Sequence, residues 1–242
     1  MNQKHLKFAS IPDALEKLKN TLAMQSELKQ QEEIEPLLAR IEDFEIRKDD
    51  KKVHPLDFAM RHGLWIKSDG SEKFYFGADL VDLFLELLSS KPPENIAEVY
   101  SKIEWVNVTF AKHPETKVTG LLIETEMENF ECVQCGRCCL DLSDAYQTSV
   151  PDSDVSRWER ENRYDILEWV VSYAGLNDVW ISPRTGEFVS RCPWLRKLPK
   201  KENFVCRIHE TKPEHCRNFP KSKRHALENG CKGFKDNSSV FG

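Results

Sequence analysis

Thiols dominate the chemistry open to this chain. Cys132, Cys135, Cys138 and Cys139 fall within eight positions, Cys192, Cys206, Cys216 and Cys231 follow, and the first 131 residues hold no cysteine at all. Overlapping Cys-x-x-Cys pairs let a tight turn aim two sulfurs at one ion, and Gly136 relaxes the backbone between them. Thiolates ligate zinc and the irons of iron–sulfur clusters alike, so ligand softness leaves both metals open. All eight cysteines are therefore candidate ligands for zinc or iron, an iron–sulfur cluster included.

The partition of these ligands is expected to follow from Cys138 and Cys139. Neighbouring side chains of an extended chain point to opposite sides. On that ground Cys132, Cys135 and Cys138 share one centre with a single later cysteine, and Cys139 joins the other three in a second. Arg137, Arg191, Arg207 and Arg217 each adjoin a cysteine; they either offset thiolate charge or are plain surface arginines. His209 and His215 lie close enough to Cys206 and Cys216 to replace a thiol, although lone histidines are more often structural. A cysteine nucleophile needs one low-pKa thiol beside a base, which eight gathered thiols do not suggest. The N-terminus has lysines but no apolar stretch or cleavage site of a secretory signal. A cytoplasmic location follows as the expectation, and there reduced thiols favour metal binding over disulfides.

The order Cys132-x-x-Cys135-Gly136-Arg137-Cys138-Cys139, Cys192-Pro193-Trp194-Leu195, Cys206-Arg207-Ile208-His209, Lys212-Pro213, Cys216-Arg217-Asn218-Phe219-Pro220 and Gly230-Cys231 resembles the YkgJ-type cysteine-cluster family. That family is named for its CxxCxxCC signature and described as zinc- or iron-chelating. The resemblance spans about residues 130–234 and implies chelation by all eight cysteines. His209 stands where the family often has tyrosine and Lys212 where arginine usually precedes the proline; neither departure touches a thiol. Flagellin lysine methylases look like relatives with the same cluster. The resemblance thus also implies a rival reading, an iron–sulfur redox enzyme or a protein-lysine methyltransferase-like enzyme. No Gly-x-Gly-x-x-Gly or Walker A sequence occurs, and Leu142 occupies the third thiol position of Cys-x-x-x-Cys-x-x-Cys.

These thiols need elements to hold them. In a chain of 242 residues two domains are expected, an α+β domain over 1–128 and an irregular, metal-stabilised cysteine-cluster domain over 129–242. Apolar spacing predicts two helices between Ile11 and Ile46, with Ser10 or Asp13 capping the first and Pro36 in the first turn of the second. The charged run 47–52 reads as an exposed connector. A hairpin over 64–76 with Asp69-Gly70 at its turn, a buried helix over 79–88 ended by Pro92-Pro93, and a strand pair at 106–110 and 118–123 complete the first domain. Beyond the knuckle, 153–173 reads as a helix that Asn162 interrupts, and 179–189 as a second hairpin. After Cys192 periodicity fails, as in a segment that only a metal would order.

A net charge of −5 argues against a nucleic-acid partner, and the basic run 221–225 reads as a solvated edge. The apolar run 80–88 is broken by Asp82 and Glu86, so no membrane span is expected. The first domain, which carries no evident chemistry, is expected to serve support or recognition of a protein partner.

Overall fold

The computed structural model describes residues 6–51, 61–68, 70–142, 149–173 and 176–234. The chain separates into two compact units, Leu6–Ile123 and the part from Glu124 onward. Both helices and sheets are present, in an α+β arrangement.

In the first unit, strand β1 (Leu6–Ser10) leads into helix α1 (Ile11–Ala23), whose cap is the Ser10 hydroxyl accepting from the Asp13 amide at 3.3 Å. Helix α2 (Glu27–Ile41) starts earlier than expected and carries Pro36 inside it. Its Gln-Glu stretch is drawn into the helix because Gln30 and Gln31 are buried donors, Gln30 to the Leu22 carbonyl at 2.9 Å and Gln31 to that of Gly63. Pro36 and Glu32 both lie on the exposed side, so the carbonyl that loses its helical donor faces water.

The run expected to be a connector is instead an edge strand, β2 (Glu45–Lys51), paired antiparallel with β3 (Arg61–Ser68), which pairs in turn with β4 (Ser71–Phe76). Charged side chains are tolerated at a sheet edge, and Glu45 meets Lys67 across the ladder at 2.6 Å. Of the expected turn pair, Gly70 has φ +80°, while Asp69 lies outside the described residues. Helices α3 (Gly77–Ser89) and α4 (Pro93–Glu104) follow, then β5 (Asn107–Lys112) and β6 (Thr119–Glu124). The sheet order is β1-β6-β5, which adds a third strand that the sequence did not reveal. Phe110 in β5 is 40% exposed. Leu18, Leu22, Ile34, Leu80, Phe84 and Leu121 form the centre of this unit's core.

In the second unit a helical turn, α5 (Arg137–Leu140), carries Cys138 and Cys139. After β7 (Ser149–Val150) the expected long helix is broken in three: α6 (Asp152–Arg160), α7 (Tyr164–Leu167) and β8 (Val170–Tyr173). Asn162 interrupts the helix with φ +53°. Beyond Leu167 the β-branched pair Val170-Val171 joins β9 (Leu176–Val179) in the sheet β7-β9-β8. The second hairpin is reduced to one bridge, Ile181 to Phe188, because Trp180 at φ +68° ends β9.

The tail beyond Cys192 forms a short ladder, β10 (Leu195–Lys197) with β11 (Phe204–Cys206), then a 3₁₀ turn (His209–Thr211) and helices α8 (Glu214–Arg217) and α9 (Lys223–Glu228). Trp158, Trp180, Ile166, Val179, Leu195 and Ile208 build the second core. Among the described residues no helix is long and apolar enough to cross a membrane.

Candidate metal centre

Four backbone bonds gather the distant cysteines around the knuckle. Glu131 N–H donates to the Gly233 carbonyl at 2.8 Å, while Phe130 bridges Phe234 with ring centroids 5.2 Å apart. This lays Cys132 beside the chain that holds Cys231. The Phe204 amide donates to Gln134 O at 2.8 Å, the Cys192 amide to Cys139 O at 2.9 Å, and the Leu142 amide to Ser190 O at 2.7 Å. Between them Gly136, at φ +70°, turns the chain against the Phe204 ring, where a Cβ would lie 2.8 Å from ring carbons. A side chain is excluded there twice over, by conformation and by space.

Cys216 is positioned differently. Asp154 on α6 is 2% exposed, accepts the Glu214 amide at 2.6 Å, and pairs with Arg157 at 2.7 Å and Arg217 at 3.2 Å. Arg157 also donates to the Lys212 carbonyl at 3.0 Å, and Trp158 Nε1 to Thr211 O at 2.7 Å. One carboxylate thus caps α8, which carries Cys216, and locks it to α6. Nothing in the sequence signalled this role. An acid in the first turn of a helix reads as a local cap, and the amide of Glu214 that it binds lies 60 residues away.

All eight cysteines are free thiols. Cys138 Sγ and Cys139 Sγ stand 3.8 Å apart, Cys139 donates to Cys192, and Cys135 bonds Cys231. The side chains at 138 and 139 therefore do not face apart as an extended chain would require: α5 is a helical turn, which leaves successive side chains about 100° apart. Packing against the second core separates the thiols instead, since Cys139, Cys206 and Cys216 are half-buried like Cys135, Cys138 and Cys231. Cys139, Cys192, Cys206 and Cys216 pack with the second core; Cys132 is exposed, and Cys135, Cys138 and Cys231 are half-buried outside that core. Among the described residues, no three His, Cys, Asp or Glu side chains form a group that could hold an ion as they stand. The thiols are neighbours and not a closed coordination shell.

The electrostatics suit a cation. Amide N–H groups point at three of the later sulfurs: those of Trp194 and Leu195 at Cys192, of Ile208 at Cys206, and of Gly233 at Cys231. Such donors favour thiolate over thiol. Cys192 is accordingly held below the usual thiol range, chiefly by the hydrogen bond from Cys139, whose own thiol is raised by its bonds to Cys138 and Cys192 and by burial. Burial also raises Cys206 and Cys216 and lifts Cys231 to about 11. A bound cation would reverse that burial penalty and release those protons.

The flanking residues take smaller parts. Arg137, Arg191 and Arg207 are exposed and Arg217 is committed to Asp154, so the arginines read as surface and scaffold. The cation whose charge bears on Cys206 and Cys216 is Lys212. His209 is exposed. His215 faces Trp180 at 6.5 Å, and its surroundings pull its pKa down to about 4, which keeps a neutral ring inside the unit.

A family model, CxxCxxCC, described as a "Putative zinc- or iron-chelating domain", matches residues 131–232. No curated protein matches the chain, and no solved structure does. The matched stretch begins one residue before Cys132 and ends one after Cys231, so it encloses all eight thiols. Over residues 131–232 the chain is thus similar to the CxxCxxCC cysteine-cluster family.

Proposed function

We propose that the unit from Glu124 onward chelates zinc or iron through its eight cysteines, and that the bound metal stabilises its fold. The observation that supports this is the meeting of thiols from separate stretches of chain, Cys138 with Cys139, Cys139 with Cys192 and Cys135 with Cys231, with backbone amides turned toward three of the sulfurs. The residues fit a thiophilic ion by donor chemistry: sulfur ligands, charge-stabilising N–H groups around them, and a backbone that brings Cys192 to Cys139 and Cys231 to Cys135. When bound, zinc would supply a structural cross-link, and an iron–sulfur cluster an electron carrier as well. The chain's part is to present thiolates, orient them by amide bonds, and exclude water from the inner ones. In a reducing cytoplasm these thiols would stay available to metal.

Anaerobic purification followed by elemental analysis and visible spectroscopy tests the reading. Stoichiometric zinc in a colourless protein, or iron with a broad absorption that bleaches on reduction, is the expected result; absence of both metals overturns it. The iron outcome would open the redox-enzyme reading, and binding of a methyl donor in calorimetry the methyltransferase-like one. The unit Leu6–Ile123 acts in this scheme as support or as a surface for a protein partner.

A further inference from the structure

Resting on the reading of these thiols as metal ligands, we infer that they form two unequal centres: an inner, non-exchanging one from Cys139, Cys192, Cys206 and Cys216, and an outer, exchangeable one from Cys132, Cys135, Cys138 and Cys231. The division comes from packing. The inner four are the cysteines that touch the second hydrophobic core, beside Trp180, Trp194 and Ile208, and Cys192 is 6% exposed. None of the outer four belongs to that core, and Cys132 is open to solvent next to Val133, itself 40% exposed.

The supports differ in the same sense. Inner thiols ride on paired or clamped elements: Cys206 in the ladder with Leu195, Cys216 on the helix locked by Asp154, and Cys192 tied by its amide to Cys139. Of the outer thiols, Cys132, Cys135 and Cys231 sit on turns and coil and Cys138 on the one-turn helix α5. They are joined to the rest of the unit by backbone bonds from Glu131 to Gly233, from Phe204 to Gln134 and from Cys231 to Ala226 and by the Cys135–Cys231 contact, without a carboxylate clamp like that of Asp154. A ligand on a solvated turn opens by local motion, whereas an inner ligand leaves only if the core opens with it. Closed all-thiolate zinc sites are structural, and exchange needs a ligand that solvent can reach. Cys138, whose sulfur is 3.8 Å from that of Cys139, places the two centres side by side. Occupancy of the outer one is then sensed directly at the inner one.

The full chain, loaded anaerobically with Zn²⁺, provides the test. It should hold about two zinc ions, as four thiolates satisfy each. A metallochromic chelator should withdraw them in a fast and a slow phase of equal amplitude. Alkylation with iodoacetamide during the fast phase, mapped by mass spectrometry, should label Cys132, Cys135, Cys138 and Cys231 and spare the inner four. Cys132→Ser should lose the fast phase and one zinc while the slow phase persists; Cys216→Ser should lose the slow phase. Release in one phase, simultaneous labelling of all eight thiols, or loss of both ions in Cys132→Ser would overturn the two-centre assignment while leaving metal binding intact. A chain that takes up no zinc and contains no iron overturns the assignment together with the reading beneath it.

Discussion

At the residue scale, spacing identified the thiols but not their directions. The expectation that Cys138 and Cys139 diverge assumed extended backbone, and the helical turn Arg137–Leu140 brings their sulfurs to 3.8 Å instead. What makes that turn possible is Gly136. Gly136→Ala forces a positive φ on a residue with a Cβ and drives that atom into the Phe204 ring. A loss of about 2–4 kcal/mol is expected in the second unit, to be read as a lower urea midpoint in the near-ultraviolet circular dichroism of its tryptophans.

A second residue-scale effect lies in the first unit. Tyr100 is 7% exposed, and burial, then Glu104, pushes its phenol up to about 12. The folded pKa lies above the unfolded value of 10.0, so the folded chain holds this proton more tightly. The associated stability is fully present below pH 10 and drains away as pH rises from 10 to 12. The loss amounts to about 2–3 kcal/mol. Denaturation curves across that range should show the decline, and Tyr100→Phe should flatten it.

At the scale of elements, helices α1 and α3 and the hairpin β3–β4 were legible because their apolar period or turn residues are local signals. The charged strand β2 was not, since pairing with β3 and cross-strand charge partners supply what its composition lacks. Likewise the helix expected through residue 173 ends at Leu167, because Val170 and Val171 gain a strand partner in β9. The clamp of α6 on α8 is the element-scale feature with most bearing on the thiols. Asp154→Asn leaves Arg157 and Arg217 without their shared carboxylate, and with both arginines partly solvated the cost should be about 2–3 kcal/mol. Denaturant titration of the metal-free chain checks the magnitude, and faster alkylation of Cys216 than in the parent protein checks the mechanism.

At the scale of the whole molecule, the two units depend on different sources of stability. The Leu6–Ile123 unit has a core of leucine, isoleucine, valine and phenylalanine with no sulfur in it. The second unit's core is smaller and includes thiols among its packed surfaces. Removing metal should therefore unfold one and spare the other. After exhaustive chelation, amide exchange is expected to accelerate in α6, β9 and β10, with the amides of α1 and α3 as protected as before; equal deprotection of both units would contradict metal-coupled folding of the second.

The sequence by itself determined the ligand inventory, its confinement to the second half, the family signature and the local helices and hairpin. Each of these is written in residue type and short-range spacing. Only the tertiary structure decided which thiols lie together, that Asp154 fixes Cys216, and that four sulfurs are packed in a core while four lie outside it. Those facts depend on where segments fifty or more residues apart meet, and no local pattern encodes the meeting point of Cys139 with Cys192 or of Cys135 with Cys231.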